Sequence, residues 1–254
     1  MLNGKQILIM GIRNKWSIAY GAAKSAFNNG AKLIFTFRGE ENRSKIEELI
    51  SEFNGVAYEC DASSDEQLDQ LFKTIKVNHG KLDGILHSIA NAHTEDLRNP
   101  FIQTSKEGFC HANDVSAYSF VATCRLAKEN DALNENSSIV ALTYYGSTKV
   151  LPNYNVMGVA KAALECSIRY LADNLGPETI RVNAISAGPI KTLSAKGIKD
   201  FSVIQDVVEQ KAPLRKNVTQ EEVGDSVTFM LSSMSRAVTG QTLYVDSGYS
   251  IMGI

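Results

Sequence analysis

Short apolar runs alternate along the chain with longer, charged segments that have helical periodicity. Most of the runs are continuous in hydrophobicity, a pattern typical of strands whose two sheet faces are both covered. The segments between them, such as 41–53 and 65–78, are long enough for crossover helices. The pattern predicts right-handed βαβ units in an α/β fold: a single-domain, Rossmann-type, doubly wound parallel sheet of about seven strands with helices on both faces. The seven predicted strands are 6–11, 31–37, 56–61, 82–90, 137–144, 180–188 and 242–248.

The composition is that of an ordinary globular protein with one domain. The 254 residues include no linker-like or low-complexity run, so we expect residues 1–254 to form a single domain. A net charge of −2 gives no indication of binding to nucleic acid or to an anionic membrane. No run approaches the roughly 20 apolar residues of a membrane span, and no secretory signal is visible. We therefore expect a cytoplasmic protein.

The cysteines and histidines give no sign of a metal site. The four cysteines have no C-x-x-C pair, and the four histidines lack the i,i+4 spacing of metal ligands. This pattern favours buried, reduced thiols over a disulfide framework or a zinc site. The cysteines are Cys60, Cys110, Cys124 and Cys166.

The loop after the first run is the first candidate binding element, because ligands of open α/β sheets lie beyond the carboxyl ends of the strands. Its sequence, GIRNKWSIAYG (11–21), lacks a literal G-x-G-x-x-G. Gly11 still permits a tight turn, and Ser17 stands at the start of the next helix. We expect the N–H groups of Ser17 and Ile18 to face a pyrophosphate at the positive helix end. The alternative is a glycine turn that only connects a strand to a helix.

Arg38 directly follows the second run, at the place where NAD-binding proteins commonly have an acidic residue for the ribose 2′-hydroxyl. An arginine there can accommodate a 2′-phosphate, so Arg38 favours NADPH and leaves NADH possible. The alternative is that Arg38 and Arg43 are solvated surface residues balanced by Glu40 and Glu41.

Asp61 closes the third run and is followed by Ala62. We expect this pair to bind the cofactor, with the Asp61 carboxylate accepting from the adenine amino group. The alternative for Asp61 is a helix N-cap, a role that Ser63 or Ser64 could fill instead.

Tyr154 and Lys161 are seven positions apart in NYNVMGVAK (153–161), which is predicted to begin a helix. Seven residues rotate by roughly 700°, so the two side chains would share one face with a drift of about 20°. They would be about 10 Å apart along the axis, too far for a direct hydrogen bond. Taken alone, such a pair is also compatible with a purely structural role.

Several segments together resemble the bacterial enoyl-acyl carrier protein reductases, a divergent branch of the short-chain dehydrogenase/reductase superfamily. The most specific feature is the tyrosine, six residues, lysine spacing, because ordinary members of the superfamily have three residues between the two. The resemblance covers nearly the whole chain. It rests on GIRNKWSIAYG (11–21), HSIA (87–90), NYNVMGVAKAALE (153–165), IRVNAISAGPIKTLSAKGIKDF (180–201) and VTGQTLYVDSGYS (238–250).

The resemblance implies a reaction and its catalytic residues. Hydride from the nicotinamide would reach C3 of a trans-2-enoyl thioester, and an enolate would form, stabilised by the Tyr154 hydroxyl and the Lys161 charge. Lys161 is expected to hold the nicotinamide ribose hydroxyls. Tyr144 matches a second family tyrosine beside the thioester, with its neighbour Tyr145 as the open alternative.

The resemblance also implies further binding residues and a helical lid near 190–210. Asn91 stands where an aromatic residue is common in relatives. Met157, Ile198 and Phe201 could each equally belong to the core. Expected cofactor contacts are Ser88, Ile89, Ile190, Thr192, Leu193 and Ser194, and expected substrate contacts are Ala92, Met157, Ile198 and Phe201.

The implied partners are an acyl carrier protein carrying the enoyl substrate and further copies of the chain in a homotetramer. Two other functions stay open. One is a ketone or alcohol reductase of the same superfamily, which the Tyr154–Lys161 spacing disfavours. The other is a non-catalytic NADP-binding regulator, although such proteins usually lose the tyrosine or the lysine.

Overall fold

A computed structural model describes residues 1–192 and 201–253 of the chain. The strands within these ranges form one sheet in the order β3-β2-β1-β4-β5-β6-β7, and every neighbouring pair is parallel. The predicted doubly wound parallel sheet of seven strands is therefore confirmed. The strands are β1 (Gln6–Met10), β2 (Lys32–Phe37), β3 (Val56–Glu59), β4 (Leu82–His87), β5 (Leu133–Thr143), β6 (Arg181–Ala187) and β7 (Thr242–Val245).

Helices cover both faces of the sheet. A π-helical segment, Asp114–Tyr118, joins two of them. Within the two described ranges, no helix is both long enough and apolar enough to cross a membrane. The helices are α1 (Ile18–Asn28), α2 (Arg43–Ile50), α3 (Asp65–His79), α4 (Thr94–Arg98), α5 (Lys106–Asn113), α6 (Ser119–Glu129), α7 (Val156–Leu175), α8 (Phe201–Lys211) and α9 (Gln220–Leu231).

The core consists of two apolar layers, one on each side of the sheet. In β1, Leu8 and Met10 belong to the layer that α3, α6 and α7 cover. Ile7 and Ile9 belong to the opposite layer, under α1, α2 and α9. Because successive side chains of a strand point to opposite faces, an unbroken apolar run fills both layers. The sheet is thereby fixed, and its carboxyl ends form one edge.

Helices α1 and α9 pack with their backbones in contact. A Cβ atom at Gly21 would lie 2.4 Å from the Gln220 carbonyl oxygen, and one at Gly224 would lie 2.4 Å from the Gly21 oxygen. Only glycine permits this approach. Gln220 also donates from Nε2 to the carbonyl oxygen of Lys15 at 2.9 Å. Helix α9 thus holds the loop that leads into α1.

The expectation of buried thiols is correct for two cysteines and wrong for the other two. Cys60 and Cys124 are buried, and burial raises the pKa of the Cys60 thiol to about 12. Cys110 and Cys166 are exposed. These two lie on the outer faces of α5 and α7, where helical periodicity turns them away from the sheet.

Candidate active site

The turn after β1 lies directly against the end of β4. Gly11 has φ +90°, and a Cβ atom there would lie 2.2 Å from the Ser88 carbonyl oxygen and 3.1 Å from Cγ1 of Ile89. The Ser88 N–H donates to the Met10 carbonyl oxygen at 3.1 Å. Both the backbone angle and the space therefore require glycine. The structure brings Gly11, Ser88 and Ile89 together at the carboxyl edge of the sheet, as the sequence predicts.

The N-terminus of α1 has free amide donors. Ser17 is the N-cap residue, but its N–H and its hydroxyl both donate to the Asn14 carbonyl oxygen, at 3.1 Å and 2.6 Å. Among the described residues, the Ile18 and Ala19 amides have no acceptor. Free N–H groups at a positive helix end suit a pyrophosphate. The fit therefore rests on Ile18 and Ala19 rather than on the Ser17 N–H.

Arg38 and Asp61, the two residues predicted to bind the adenosine end, form an ion pair. Arg38 Nε lies 3.1 Å from Asp61 Oδ2. Partial burial raises the pKa of Asp61, but hydrogen bonds from Ser63 and the Arg38 charge outweigh it, so the pKa is lowered. The N-cap of α3 is Ser64, whose side chain accepts from the Gln67 N–H. Asp61 is therefore not the helix cap, and its carboxylate is held in place beside Arg38.

The Arg43 guanidinium is bound by glutamates of its own segment, whereas Arg38 uses only Nε for an ion pair. Arg43 donates to Glu40 through Nε (2.5 Å) and Nη2 (3.0 Å), and to Glu47 through Nη1 (3.4 Å). The interpretation of balanced surface charges thus holds for Arg43 and Glu40. Arg38 pairs with Asp61 instead of Glu41. Its Nη donors have no hydrogen-bond partner in the described ranges.

The other residues predicted to contact the cofactor lie at several places along the same edge. Ala62 is buried directly after Asp61. Ile89 and Ile190 are partly buried, against the core layers on the two sides of the sheet. The Thr192 N–H donates to the Ile190 carbonyl oxygen at 2.8 Å. Leu193, Ser194 and Ile198 lie outside the described residues, as does most of the first half of the predicted lid.

The prediction that Tyr154 lies on the helix with Lys161 is wrong. Helix α7 begins at Val156, and Tyr154 lies in the turn before it. Asn153 and Asn155 have φ of 61° and 42°, which a right-handed helix does not allow. The Tyr154 ring packs on Gly146, where a Cβ atom would lie 2.3 Å from Cδ1 of the ring. The position of Tyr154 is thus fixed by this turn and not by helical periodicity.

The structure distinguishes the neighbours Tyr144 and Tyr145. The Tyr144 ring packs edge-on against Tyr154, with 5.0 Å between ring centroids. The Tyr145 ring instead packs against Tyr249, at 5.9 Å. Burial raises the pKa of both Tyr144 and Tyr154, so both phenols stay protonated. In the described part of the chain, neither hydroxyl has a hydrogen-bond partner.

The two tyrosines lie in a small apolar cluster that is separate from the two core layers. Ala92 and Met157, both predicted to contact substrate, belong to it. Phe201 is half-buried at the first position of α8. An apolar surface with a few polar groups is typical of a binding site for an apolar ligand. The buried members are Leu97, Ala112, Tyr154, Val156, Met157 and Ala160, with Ala90, Ala92, Tyr144 and Leu151 partly buried against them.

Lys161 is a buried lysine, 5% exposed, on the second turn of α7. Its Nζ donates to the Leu142 carbonyl oxygen at 2.8 Å. Burial lowers the pKa of Lys161 to about 8, although the negative charge of Glu165 opposes this. An ammonium has three donors, and Leu142 takes only one of them. Lys161 is thus anchored to β5 and keeps donors for a ligand.

Glu165 and Thr143 belong to the surroundings of Lys161, although we did not predict a role for either. Glu165 is buried one turn after Lys161, and its Oε1 accepts from the Thr143 hydroxyl at 2.6 Å. A buried carboxylate of this kind supports the positive charge of the lysine. The i,i+4 spacing of Lys161 and Glu165 is the sequence signal that could have identified it.

Comparison with known proteins identifies a family for the whole chain. Residues 11–250 match the family described as enoyl-(acyl carrier protein) reductase. An enoyl-acyl carrier protein reductase of Bacillus cereus, named for NADH, is 49% identical over 256 residues, which cover 100% of this chain and 99% of the relative. One of Staphylococcus aureus, named for NADPH, is 49% identical over 98% of this chain and 97% of its own.

Solved structures agree with the sequence comparison. The Bacillus cereus enoyl-acyl carrier protein reductase with NADP⁺ and indole naphthyridinone superposes with a TM-score of 0.97 at 48% identity, covering 100% of this chain and 99% of that one. The Aquifex aeolicus reductase gives a TM-score of 0.95 at 44% identity, with the same coverage. The chain therefore belongs to the enoyl-(acyl carrier protein) reductase family, whose members are oxidoreductases that use NADH or NADPH.

Proposed function

We propose that Tyr154, Tyr144 and Lys161 carry the chemistry of enoyl reduction in this chain. Family membership gives the reaction: the chain reduces the C2–C3 double bond of trans-2-enoyl-acyl carrier protein thioesters with NAD(P)H in fatty-acid synthesis. The residue roles are supported by one arrangement. Two protonated phenols, whose hydroxyls have no hydrogen-bond partner among the described residues, lie in an apolar cluster, and a buried ammonium lies on the next helix.

The residues at the carboxyl edge fit a nicotinamide dinucleotide, which supplies the hydride when it is bound. The Gly11 turn holds the loop close against Ser88, and the Ile18 and Ala19 amides at the end of this loop would hold the pyrophosphate. Lys161 would hold the nicotinamide ribose hydroxyls with the donors that Leu142 leaves free. The two amides and the Lys161 ammonium are donors held in place by the fold, so the cofactor would be oriented with little rearrangement of the protein.

The tyrosines and Lys161 stabilise the charge that reduction creates. Addition of hydride at C3 places negative charge on the thioester oxygen, two atoms beyond C2. The Tyr154 hydroxyl donates a hydrogen bond to that oxygen, with Tyr144 beside it, and the Lys161 ammonium adds a favourable field. The surrounding apolar side chains exclude water, which strengthens these electrostatic interactions. A proton taken up from solvent at C2 then completes the reduction.

Arg38 supports NADPH as the preferred donor, with NADH as the alternative. Its Nη groups have no partner among the described residues and could meet a 2′-phosphate, while Asp61 holds the guanidinium through Nε. The relatives do not decide the preference, because one is named for NADH and another for NADPH. The assignment therefore rests on this side chain.

The proposal also includes the partners and the assembly expected from the sequence. The substrate would arrive on an acyl carrier protein beneath a lid near 190–210, and the chain would form a cytoplasmic homotetramer. Support for self-association comes from β7, the last strand of the sheet. Tyr244 on this strand and the nearby Leu214 and Ile251 are large apolar side chains that are exposed.

The choice of substrate tests the function. We expect the purified protein to oxidise NAD(P)H with crotonyl thioester and not with acetoacetyl thioester. With cofactor deuterated at the transferred position, nuclear magnetic resonance of the butyryl product should place the deuterium at C3. Preference for the acetoacetyl substrate would instead support the ketone reductase. Tight cofactor binding without turnover of either substrate would support the regulator.

A further inference from the structure

His87, the last residue of β4, is a buried histidine with one unexplained polar atom. It is 1% exposed, and its ring packs edge-on against Phe120 at 5.3 Å between centroids. Its Nδ1 is buried and has no hydrogen-bond partner in the described part of the structure. Such atoms are rare in folded proteins because each one costs free energy, so this one calls for a partner.

The hydrogen bonds of Ser119 determine which nitrogen of His87 carries the proton. The Ser119 hydroxyl donates to the Val115 carbonyl oxygen at 2.7 Å, and His87 Nε2 lies 2.9 Å from the same hydroxyl oxygen. A serine has only one O–H proton, and Val115 accepts it. We therefore assign the ring proton to His87 Nε2, which donates to Ser119. The orphaned Nδ1 then holds a lone pair and is an acceptor.

Lys161 is a charged group that acts on the His87 ring. Burial lowers the pKa of His87 to about 3 and the charge of Lys161 adds to this, while a weaker interaction of the ring with the backbone of His87 opposes it, so the ring stays neutral. His87 pairs in register with Ala141 of β5, and Lys161 Nζ is bound to the carbonyl of the next residue, Leu142. Both side chains lie on the sheet face that α6 and α7 cover. Among the described residues, Glu165 is a titratable side chain whose charge acts on Lys161.

We propose that His87 positions Lys161 through one internal water molecule, which donates to His87 Nδ1 and accepts from Lys161 Nζ. The two nitrogens share no direct hydrogen bond, since the bond from Lys161 in the described residues goes to Leu142. A water satisfies both the orphaned acceptor and a spare ammonium donor. It thereby holds the ammonium in its charged form and in the orientation that the cofactor ribose requires. The inference rests on the role proposed above for Lys161.

Two substitutions separate the two nitrogens of His87. In His87→Asn the side-chain oxygen can occupy the position of Nδ1, whereas in His87→Gln the amide reaches the position of Nε2. We expect His87→Asn to keep the KM for NAD(P)H near the wild-type value. His87→Gln should raise this KM about tenfold, the effect of one lost hydrogen bond. It should also move the alkaline limb of the pH profile to lower pH, because an ammonium without its water loses its proton more easily.

The opposite ranking of the two variants, or equal effects of both, would overturn the inference. A Lys161→Ala variant is measured in parallel. If it keeps the wild-type KM and kcat, the role of Lys161 in the proposed function is wrong, and the positioning role of His87 fails with it. If Lys161 is required and His87→Gln is unchanged, only the inference about His87 fails.

A measurement on the unsubstituted protein avoids any effect of substitution on folding. Nitrogen-15 resonance of histidine-labelled protein reports the tautomer of each ring, and His87→Asn assigns the His87 signals. We expect a neutral ring with the proton on Nε2 and a hydrogen-bonded, unprotonated Nδ1. A proton on Nδ1, or an Nδ1 without a hydrogen bond, would overturn the water bridge.

Discussion

Burial sets the protonation states of the three side chains to which we assign the chemistry. It raises the pKa of Tyr144 and Tyr154 and lowers that of Lys161 to about 8. The phenols therefore remain hydrogen-bond donors at any working pH. Lys161 is the group of the three whose charge changes near neutrality, so the pH dependence of the enzyme should report on it.

The first prediction concerns the alkaline limb of activity. The kcat/KM for NAD(P)H should fall as the pH rises through about 8, because Lys161 loses its proton there. Lys161→Arg should remove this limb, since an arginine stays protonated. The measurement is the pH profile of crotonyl-thioester-dependent NAD(P)H oxidation for both proteins. A flat wild-type profile, or the same limb in the arginine variant, would contradict the assignment.

Stability should depend on pH in the opposite sense. The pKa of Lys161 is lower in the folded protein than its ordinary 10.5. Between about pH 8 and 10.5 the unfolded chain therefore binds more protons at this group, and its contribution to the free energy of unfolding rises with pH. Loss of activity above pH 8 would thus not be explained by unfolding at Lys161.

The second prediction concerns the two arginines near the adenosine site. Arg38→Ala should lower kcat/KM for NADPH by about 10- to 100-fold, the loss of one charged hydrogen-bonding group, and should change that for NADH much less. Arg43→Ala is the matched control, because its guanidinium is occupied by Glu40 and Glu47. Steady-state kinetics with both cofactors checks the prediction. Equal effects of Arg38→Ala on the two cofactors would show that Arg38 does not recognise the 2′-phosphate.

Single-residue contacts were the hardest part of the site to predict from sequence. Tyr144 and Tyr145 are adjacent at a strand end, and only the backbone path after Thr143 decides that Tyr144 meets Tyr154. The partners of His87 come from elements far away in sequence. No local pattern marks such contacts, because packing of several elements creates them.

At the scale of secondary structure, all seven strands could be predicted because most of them are continuous apolar runs in a sheet covered on both sides. The first and last residues of the strands were predicted less accurately. The run 82–90 extends three residues past β4, into the loop that carries Ser88 and Ile89. Strand β5 begins at Leu133, earlier than the predicted 137, because Leu133 pairs with Leu82 across an irregular register.

The start of α7 shows why a helical pattern can mislead. The spacing of Tyr154 and Lys161 fits a helix face, but Asn153 and Asn155 both adopt positive φ. Asparagine tolerates this conformation, which ends helical geometry on the N-terminal side of Val156. The spacing therefore indicates a turn followed by a helix, and the turn brings Tyr154 to Gly146.

The third prediction concerns the turn that begins the cofactor site. Gly11 and Gly4 both have positive φ, but only at Gly11 would a Cβ atom meet other atoms, 2.2 Å from the Ser88 oxygen. Gly4→Ala should thus cost only backbone strain, about 1 kcal/mol of unfolding free energy. Gly11→Ala should cost clearly more and should weaken cofactor binding. Urea unfolding and cofactor titration test this, and equal losses for the two variants would exclude a clash at Ser88.

At the scale of the whole molecule, the parallel sheet brings together residues that are far apart in sequence. Because all the strands run in one direction, their carboxyl ends meet at one edge. The residues that follow the strands, among them Gly11, Ser88 and Ile190, therefore lie at this edge although they are far apart in sequence. That general location could be predicted from the strand pattern alone. The assembly of chains and the docking of a carrier protein could not, since they depend on surfaces and not on the core.

The central claim is that Tyr154 and Lys161 carry enoyl reduction, and one set of rates tests it most directly. The absorbance of NAD(P)H is followed as crotonyl thioester is added to the wild type, Tyr154→Phe, Lys161→Ala and, as a control, Tyr145→Phe. We predict oxidation by the wild type and by Tyr145→Phe, a loss of about 10²- to 10³-fold in Tyr154→Phe, and none detectable in Lys161→Ala. Wild-type rates in both the Tyr154 and Lys161 variants, or no oxidation by the wild type, would contradict the claim.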